Sequence, residues 1–181
     1  LGRAFGPCGK LGDENAAQKY ESAAKAMANK WGEMALDGDH YRLAFDKSGT
    51  WSQKYNLVWD KILGLHMFSP EIAKREVAFY KMHLNPFGLP LDNRATYTKL
   101  DWTIWSATLA SSPDDFRTIV HPVFHFLDKT PERIPMTDWY DTVSAKHPGF
   151  QARSVVGGCS TASFSAVEIL ARRRSATFCA T

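Results

Sequence analysis

The sequence predicts an all-α fold, and three observations carry that expectation. Long apolar stripes recur at spacings of three and four residues. Two Ser-Pro pairs, Ser69-Pro70 and Ser112-Pro113, each offer a capping hydroxyl followed by proline at the first helical position. Alternating strand-like patterns are short and few.

The elements follow in order. Asp13 is a suitable N-cap for a helix over about 14–35, with Ala17, Tyr20, Ala24, Met27, Ala28, Trp31 and Met34 on one stripe. Asp37-Gly38-Asp39 ends it, and His40 to Phe45 reads as a short strand or extended loop. A second helix is expected over about 52–64, through Tyr55, Val58, Trp59 and Ile62. The Ser69 cap starts a third, running to about His83, where Asn85-Pro86-Phe87-Gly88-Leu89-Pro90 breaks it. A fourth is expected over about 99–110, and a fifth from Ser112 to about Asp128. A sixth apolar stretch begins near Ser154 and is compatible with helix to about Arg173. Long loops between these helices concentrate Trp, Tyr and Asp, and long loops in a compact helical protein tend to be functional.

Composition narrows the functional classes. The chain has 181 residues, enough for one ordinary domain, with 44% hydrophobic and 13% aromatic residues, which argues against disorder. Its net charge of +3 is carried by Arg153, Arg172, Arg173 and Arg174 against Glu168, while residues 1–152 balance. No basic groove for nucleic acid is indicated in the body. No apolar run approaches the roughly 20 residues needed to span a bilayer, so no membrane partner is expected. Cys8, Cys159 and Cys179 are widely spaced, compatible with one disulfide but with no zinc-ligand pattern. His121 and His125 lie at i, i+4, but Pro122 interrupts and no zincin glutamate stands between them. Asp37, Asp39 and Asp46 lack the spacing of an EF-hand and read as turn formers. Neither a metal nor a cofactor is expected.

Three constellations remain. Asp92, Arg94, Tyr97, Lys99, Asp101 and Trp102 crowd one loop and helix start. One reading is a first-turn acid and a structural Arg–Asp pair. The other is a polar substrate floor, with Arg94 clamping a carboxylate and Asp101 acting as acid or base. Asp138 and Asp141 flank Trp139 and Tyr140, either as turn formers or as paired carboxylates beside aromatic platforms. Trp51, near Tyr55, is either a stacking surface for substrate or a loop anchor.

Three stretches carry a resemblance: DGDHYRLAFDKSGTWSQKYNLVWDKILGL (37–65), FGLPLDNRATYTKLDW (87–102) and TDWYDTVSAKHPGFQARSVVGG (137–158). In these the chain resembles the C-terminal part of glutaminase A-like proteins, over residues 13–158. The resemblance implies a six-hairpin (α/α) toroid with its site in a funnel at one end. About six helices are counted here, half of such a ring, so the chain reads as a fragment: residues 1–158 as part of the helical domain, 159–181 as an atypical tail. The implied activity is hydrolysis of L-glutamine to L-glutamate and ammonia. The implied setting is extracellular or periplasmic, and the implied partner is an absent N-terminal part of the same protein. For that chemistry Asp101, Asp138 and Asp141 are the candidate catalytic acids and bases. Arg94 is the candidate carboxylate ligand, Lys99 and Tyr97 the candidate oxyanion donors, and Trp51 and Tyr55 the candidate substrate surface. A glycoside hydrolase or sugar-binding protein on the same scaffold is the alternative, and a non-catalytic truncated product the third.

Overall fold

A computed structural model of the chain describes residues 12–132 and 136–160. Among the described residues five α-helices carry the fold, joined by long loops and two small two-stranded antiparallel ladders. Helix α1 (Glu14–Ala35) starts where the Asp13 carboxylate accepts the Ala16 N–H at 3.0 Å. Its stripe of alanines is small enough for close approach. Ala24 and Ala28 pack on Met67, and Ala35 packs with Tyr41 and Ile72. The chain then turns back through β1 (Leu36–Asp37) and β2 (His40–Tyr41), paired Leu36 to Tyr41 and Asp37 to His40. Asp37 ties down the next loop, accepting the Gly49 N–H at 2.7 Å and the Ser48 hydroxyl at 3.0 Å.

The expected helix over 52–64 forms only in part. A 3-10 turn at Tyr55–Leu57 leads into the short α2 (Val58–Ile62). The physical reason is competition for the backbone. Ser52 bridges Asp92, and the Gln53 N–H bonds the Leu91 carbonyl at 2.8 Å, so these residues belong to the neighbouring loop before a helix can begin. Asp60 closes the loop beyond α2 by accepting the Met67 N–H at 2.9 Å.

Both Ser-Pro starts behave as expected. Ser69 and Ser112 accept first-turn N–H groups of α3 (Pro70–Met82) and α5 (Pro113–Lys129) at 3.3 and 3.1 Å. Between them lie β3 (Tyr97–Lys99) and α4 (Leu100–Ala107). Helix α4 is shorter than the expected 99–110: it starts one residue later, because Tyr97–Lys99 pair with β4 (Trp139–Asp141), and ends three residues earlier, where the Leu109 and Ala110 N–H groups turn back to the Ser106 and Ala107 carbonyls. Buried Val77, Phe79 and Tyr80 of α3, Ile104 and Ala107 of α4, and Ile119 and Val120 of α5 form the main core with Trp51 and Leu89. A second cluster stacks Phe126 on Tyr140, ring centroids 3.7 Å apart, beside Leu100 and Val123. Residues 154–160 form a 3-10 segment. The rest of the expected sixth helix, Cys8, Cys179 and the arginine run lie outside the described residues. No helix among the described residues is long and apolar enough to cross a membrane.

Candidate functional site

The three aromatic-acidic stretches meet. Gln53 is the centre of the junction between the first and the second. Its buried Nε2 lies within hydrogen-bonding range of the Leu89 and Pro90 carbonyls at 3.0 and 3.1 Å and of the Thr98 hydroxyl at 3.1 Å. Its Oε1 accepts the Ser106 hydroxyl of α4 at 3.1 Å. The second and third stretches are joined by the β3–β4 ladder, which sets Tyr97 against Asp141, Thr98 against Tyr140 and Lys99 against Trp139.

The three candidate aspartates end in different environments. Asp101, in the first turn of α4, is 4% exposed, and its Oδ1 has no hydrogen-bond partner. Burial raises its pKa above the ordinary carboxylate value, and the charge of Asp138 adds to the rise. The N–H groups at the start of α4 and Lys99 oppose it less strongly. Asp138 is 1% exposed and reaches the same neighbourhood because its carbonyl accepts the Leu100 N–H at 2.6 Å. Its Oδ2 is 3.0 Å from Lys99 Nζ and 3.6 Å from Arg153 Nη1, while Oδ1 has no partner. Asp141 is occupied by its own turn. Oδ1 accepts the Val143 and Ser144 N–H groups at 3.0 and 2.7 Å, and Oδ2 accepts the Thr96 hydroxyl. Burial opposes its charge, but these hydrogen bonds outweigh burial and hold its pKa below the ordinary value.

A cavity of about 400 Å³ opens beside α4, within the size range of small-molecule sites. Tyr55 and Trp102 form part of its wall as a parallel stack, centroids 4.0 Å apart and planes 12° apart. Trp31, Phe68, Lys54, Asp92 and Arg94 also line it. Arg94 is spent on Asp92: Nε and Nη2 reach the two carboxylate oxygens at 3.0 and 2.7 Å, the structural Arg–Asp pair. The Asp101 charge acts on the Tyr55 phenol, whose pKa burial has already raised, so this buried acid and the cavity are neighbours.

Trp51 does not line the cavity. It is 8% exposed and packs on Phe79 and His83, with centroids at 5.5 and 5.4 Å, as a loop anchor. Tyr97 is exposed and meets Trp139 edge-on at 5.5 Å. Lys99 lies over the Trp139 and Phe150 rings at 5.1 and 4.9 Å, and Arg153 over Phe150 at 4.5 Å. Thus Tyr55, Arg94 and the Asp101–Asp138–Lys99 group gather around α4, while Trp51 and Asp141 serve the framework.

Sequence reasoning missed Lys54 and Glu76. Lys54 lines the cavity; among the described residues its Nζ bonds the Ser52 carbonyl and hydroxyl at 3.1 and 3.0 Å and has no ion-pair partner. Burial lowers its pKa, and Glu76 partly offsets the drop. Its backbone N–H donates to the Tyr80 hydroxyl at 2.7 Å. Glu76, on α3, is fully buried and accepts the Tyr41 N–H at 2.7 Å. Burial raises its pKa, against the opposing influence of Lys54 and Tyr80. One signal was readable: Glu76 sits among Ile72, Val77, Phe79 and Tyr80, an acid inside an apolar face. Among the described residues no group of three or more His, Cys, Asp or Glu stands together as metal ligands.

Comparison with known proteins gives the family. The model of the glutaminase A six helical-hairpin domain matches residues 3–162. Glutaminase A of Aspergillus oryzae is 31% identical over 155 residues, covering 81% of this chain and 22% of that protein. A probable glutaminase of Arthroderma benhamiae is 28% identical over 171 residues, covering 77% of this chain and 20% of that protein. The chain therefore spans about a fifth of the length of these curated relatives. With a six-hairpin model matched across most of its length and a mostly helical structure, the chain belongs to the glutaminase A-like family.

Proposed function

We propose that this chain supplies part of the active site of an amide hydrolase acting on L-glutamine, within a helical toroid completed by the preceding part of a longer protein. The observation that carries the reading is Asp101: a buried carboxyl with a raised pKa and an unpartnered oxygen, beside an aromatic-walled cavity. Amide hydrolysis needs a base to activate water, an acid to protonate the leaving nitrogen and a donor for the oxyanion. In this reading Asp138, paired with Lys99 and with Oδ1 unoccupied, takes a proton from water as the water oxygen bonds to the amide carbon. Protonated Asp101 then gives its proton to nitrogen as the C–N bond breaks, releasing ammonia and leaving glutamate. Proton exchange with solvent restores both carboxyls. Lys99 and Tyr97 are the candidate oxyanion donors. Asp141 stands outside these roles because its oxygens are held by Thr96, Val143 and Ser144. The reading also places the protein in an extracellular or periplasmic setting.

The test is ammonia release from L-glutamine by the complete gene product that carries this chain. Asp101→Asn and Asp138→Asn should each lower kcat about 100-fold or more, the scale of general acid–base catalysis. Rates within twofold of wild type in both variants reject the assignment.

One observation favours a second reading, carbohydrate binding or glycoside hydrolysis on the same scaffold. The Tyr55–Trp102 stack gives the cavity a flat apolar wall of the kind that accommodates a sugar ring. A screen of neutral sugars by thermal shift separates the two, since a ligand that binds only the folded state raises its melting temperature. The absence of both amide hydrolysis and sugar binding in a folded protein favours a non-catalytic chain.

A further inference from the structure

We propose that Lys54 makes the cavity beside the Tyr55–Trp102 stack a subsite for the carboxylate of a small acid bearing one such group, and that Arg94 does not hold that group. The inference depends on the glutaminase reading only for which acid is bound.

Charge bookkeeping inside the cavity carries the argument. Among the described residues three charged side chains line it: Lys54, Asp92 and Arg94. Arg94 and Asp92 cancel in a two-point pair, Nε to Oδ1 at 3.0 Å and Nη2 to Oδ2 at 2.7 Å, and the Arg94 N–H adds a third bond to Oδ1 at 2.9 Å. Taking Arg94 for a substrate would strand Asp92, which is 6% exposed, without its counter-charge. Lys54 is the remaining cation. Among the described residues its ammonium bonds the two Ser52 oxygens, both uncharged, and so keeps donor capacity for an incoming anion. The lining thus carries one net positive charge, matched to one carboxylate.

The Lys54 backbone is fixed from behind. Its N–H bonds the Tyr80 hydroxyl at 2.7 Å, and Tyr80 is fully buried. Glu76 lies in the same buried layer, and its charge acts on both Lys54 and Tyr80. Lys54 and Glu76 nonetheless form no ion pair within salt-bridge distance, so the Glu76 charge acts on Lys54 only from further off. A cation held on a rigid backbone in a mostly apolar cavity binds an anion more strongly than one on a solvated surface. Beside it, Trp31, Phe68 and the Tyr55–Trp102 stack offer apolar contact for the carbon skeleton of the same molecule.

Calorimetric titration of the complete gene product tests this. The probes are L-glutamine, its neutral-ended analogue L-glutamine α-amide, D-glucuronate and D-glucose. At least one acid should bind about tenfold or more tightly than the counterpart that lacks its carboxylate. Lys54→Met should abolish that preference, and Lys54→Arg should keep most of it. Arg94→Met should lose less than Lys54→Met. Unchanged melting of Lys54→Met shows that it folds. If it does not fold, the Lys54→Arg and Arg94→Met comparison decides. Lys54-dependent binding of glucuronate but not glutamine supports the subsite and rejects the glutaminase reading. Rates within twofold of wild type in both Asp101→Asn and Asp138→Asn reject the glutaminase roles while leaving the subsite intact. Equal binding of acids and of counterparts without the carboxylate, an acid preference that survives Lys54→Met, or no acid bound by folded wild type overturns the proposal.

Discussion

The Gln53 carboxamide oxygen accepts the Ser106 hydroxyl at 3.1 Å, and this one contact locks the loop ahead of α2 to the body of α4. Gln53 is 3% exposed and Ser106 fully buried. A buried amide of this kind is worth more in its absence than in its presence, because each partner it leaves is stranded away from water. Gln53→Leu strands the Leu89 and Pro90 carbonyls and the Ser106 hydroxyl. It should cost about 2–3 kcal/mol, read from the urea unfolding midpoint. A loss under about 0.5 kcal/mol, the scale of an ordinary surface substitution, would contradict this role.

Lys99 and Asp138 are predicted to behave as a unit. The pair is 3.0 Å apart, with side chains 17% and 2% exposed. Removing the cation leaves a buried carboxylate with only Arg153 at 3.6 Å, so Lys99→Met should cost about 3 kcal/mol. Lys99→Met combined with Asp138→Leu should cost clearly less than the sum of the single changes. Additive costs in that double-mutant cycle would show that the two charges are not coupled.

Gly88 should tolerate no side chain. Its φ is +144°, and a Cβ there would lie 2.9 Å from the hydroxyl of Tyr140. That hydroxyl donates to the Phe87 carbonyl at 3.0 Å, and the Tyr140 ring is fully buried against Phe126, so it has nowhere to move. Gly88→Ala should destabilise by about 2 kcal/mol or more. Gly64 makes a useful comparison. Its φ is +59° with open space around it, so Gly64→Ala should cost only about 1 kcal/mol of backbone strain. Equal melting temperatures for the two variants would show that the Tyr140 contact carries no weight.

Asp37 is predicted to give the fold an acid limb. The Gly49 N–H, then Arg42 and Ser48, hold its carboxyl at about 2, below its ordinary 3.8. A depressed carboxyl pKa contributes stability that is fully present above the unfolded value and is lost as pH falls through the folded one. Wild type should therefore lose melting temperature between pH 4 and pH 2 more steeply than Asp37→Asn, with the two curves parallel above pH 5. Parallel curves throughout would remove Asp37 from the account.

Local chemistry was legible where a residue acts on its own neighbours in sequence. The Asp13, Ser69 and Ser112 caps and the first-turn prolines marked α1, α3 and α5 to within a residue or two, because a cap needs only its own first turn. Helix α2 was over-read because Ser52 and Gln53 give their backbone to residues nearly forty positions away. No periodicity of the local segment records that. The site divides in the same way. Composition marked the three loops, but the fates of their acids depend on distant partners. Asp141 is held by Thr96, Asp138 pairs with Lys99, and Asp101 is buried with an unpartnered oxygen.

By itself, then, the sequence determined the helical class, the three capped helix starts, the family likeness and which three segments hold the unusual residues. Tertiary structure alone decided that Arg94 is consumed by Asp92, that Trp51 is an anchor, and that Lys54 lines a cavity without an ion-pair partner among the described residues. The reason is range. Capping and hydrophobic periodicity act over one or two turns of chain, whereas burial and charge pairing depend on whatever the fold brings from elsewhere, and those set what an ionisable side chain can do.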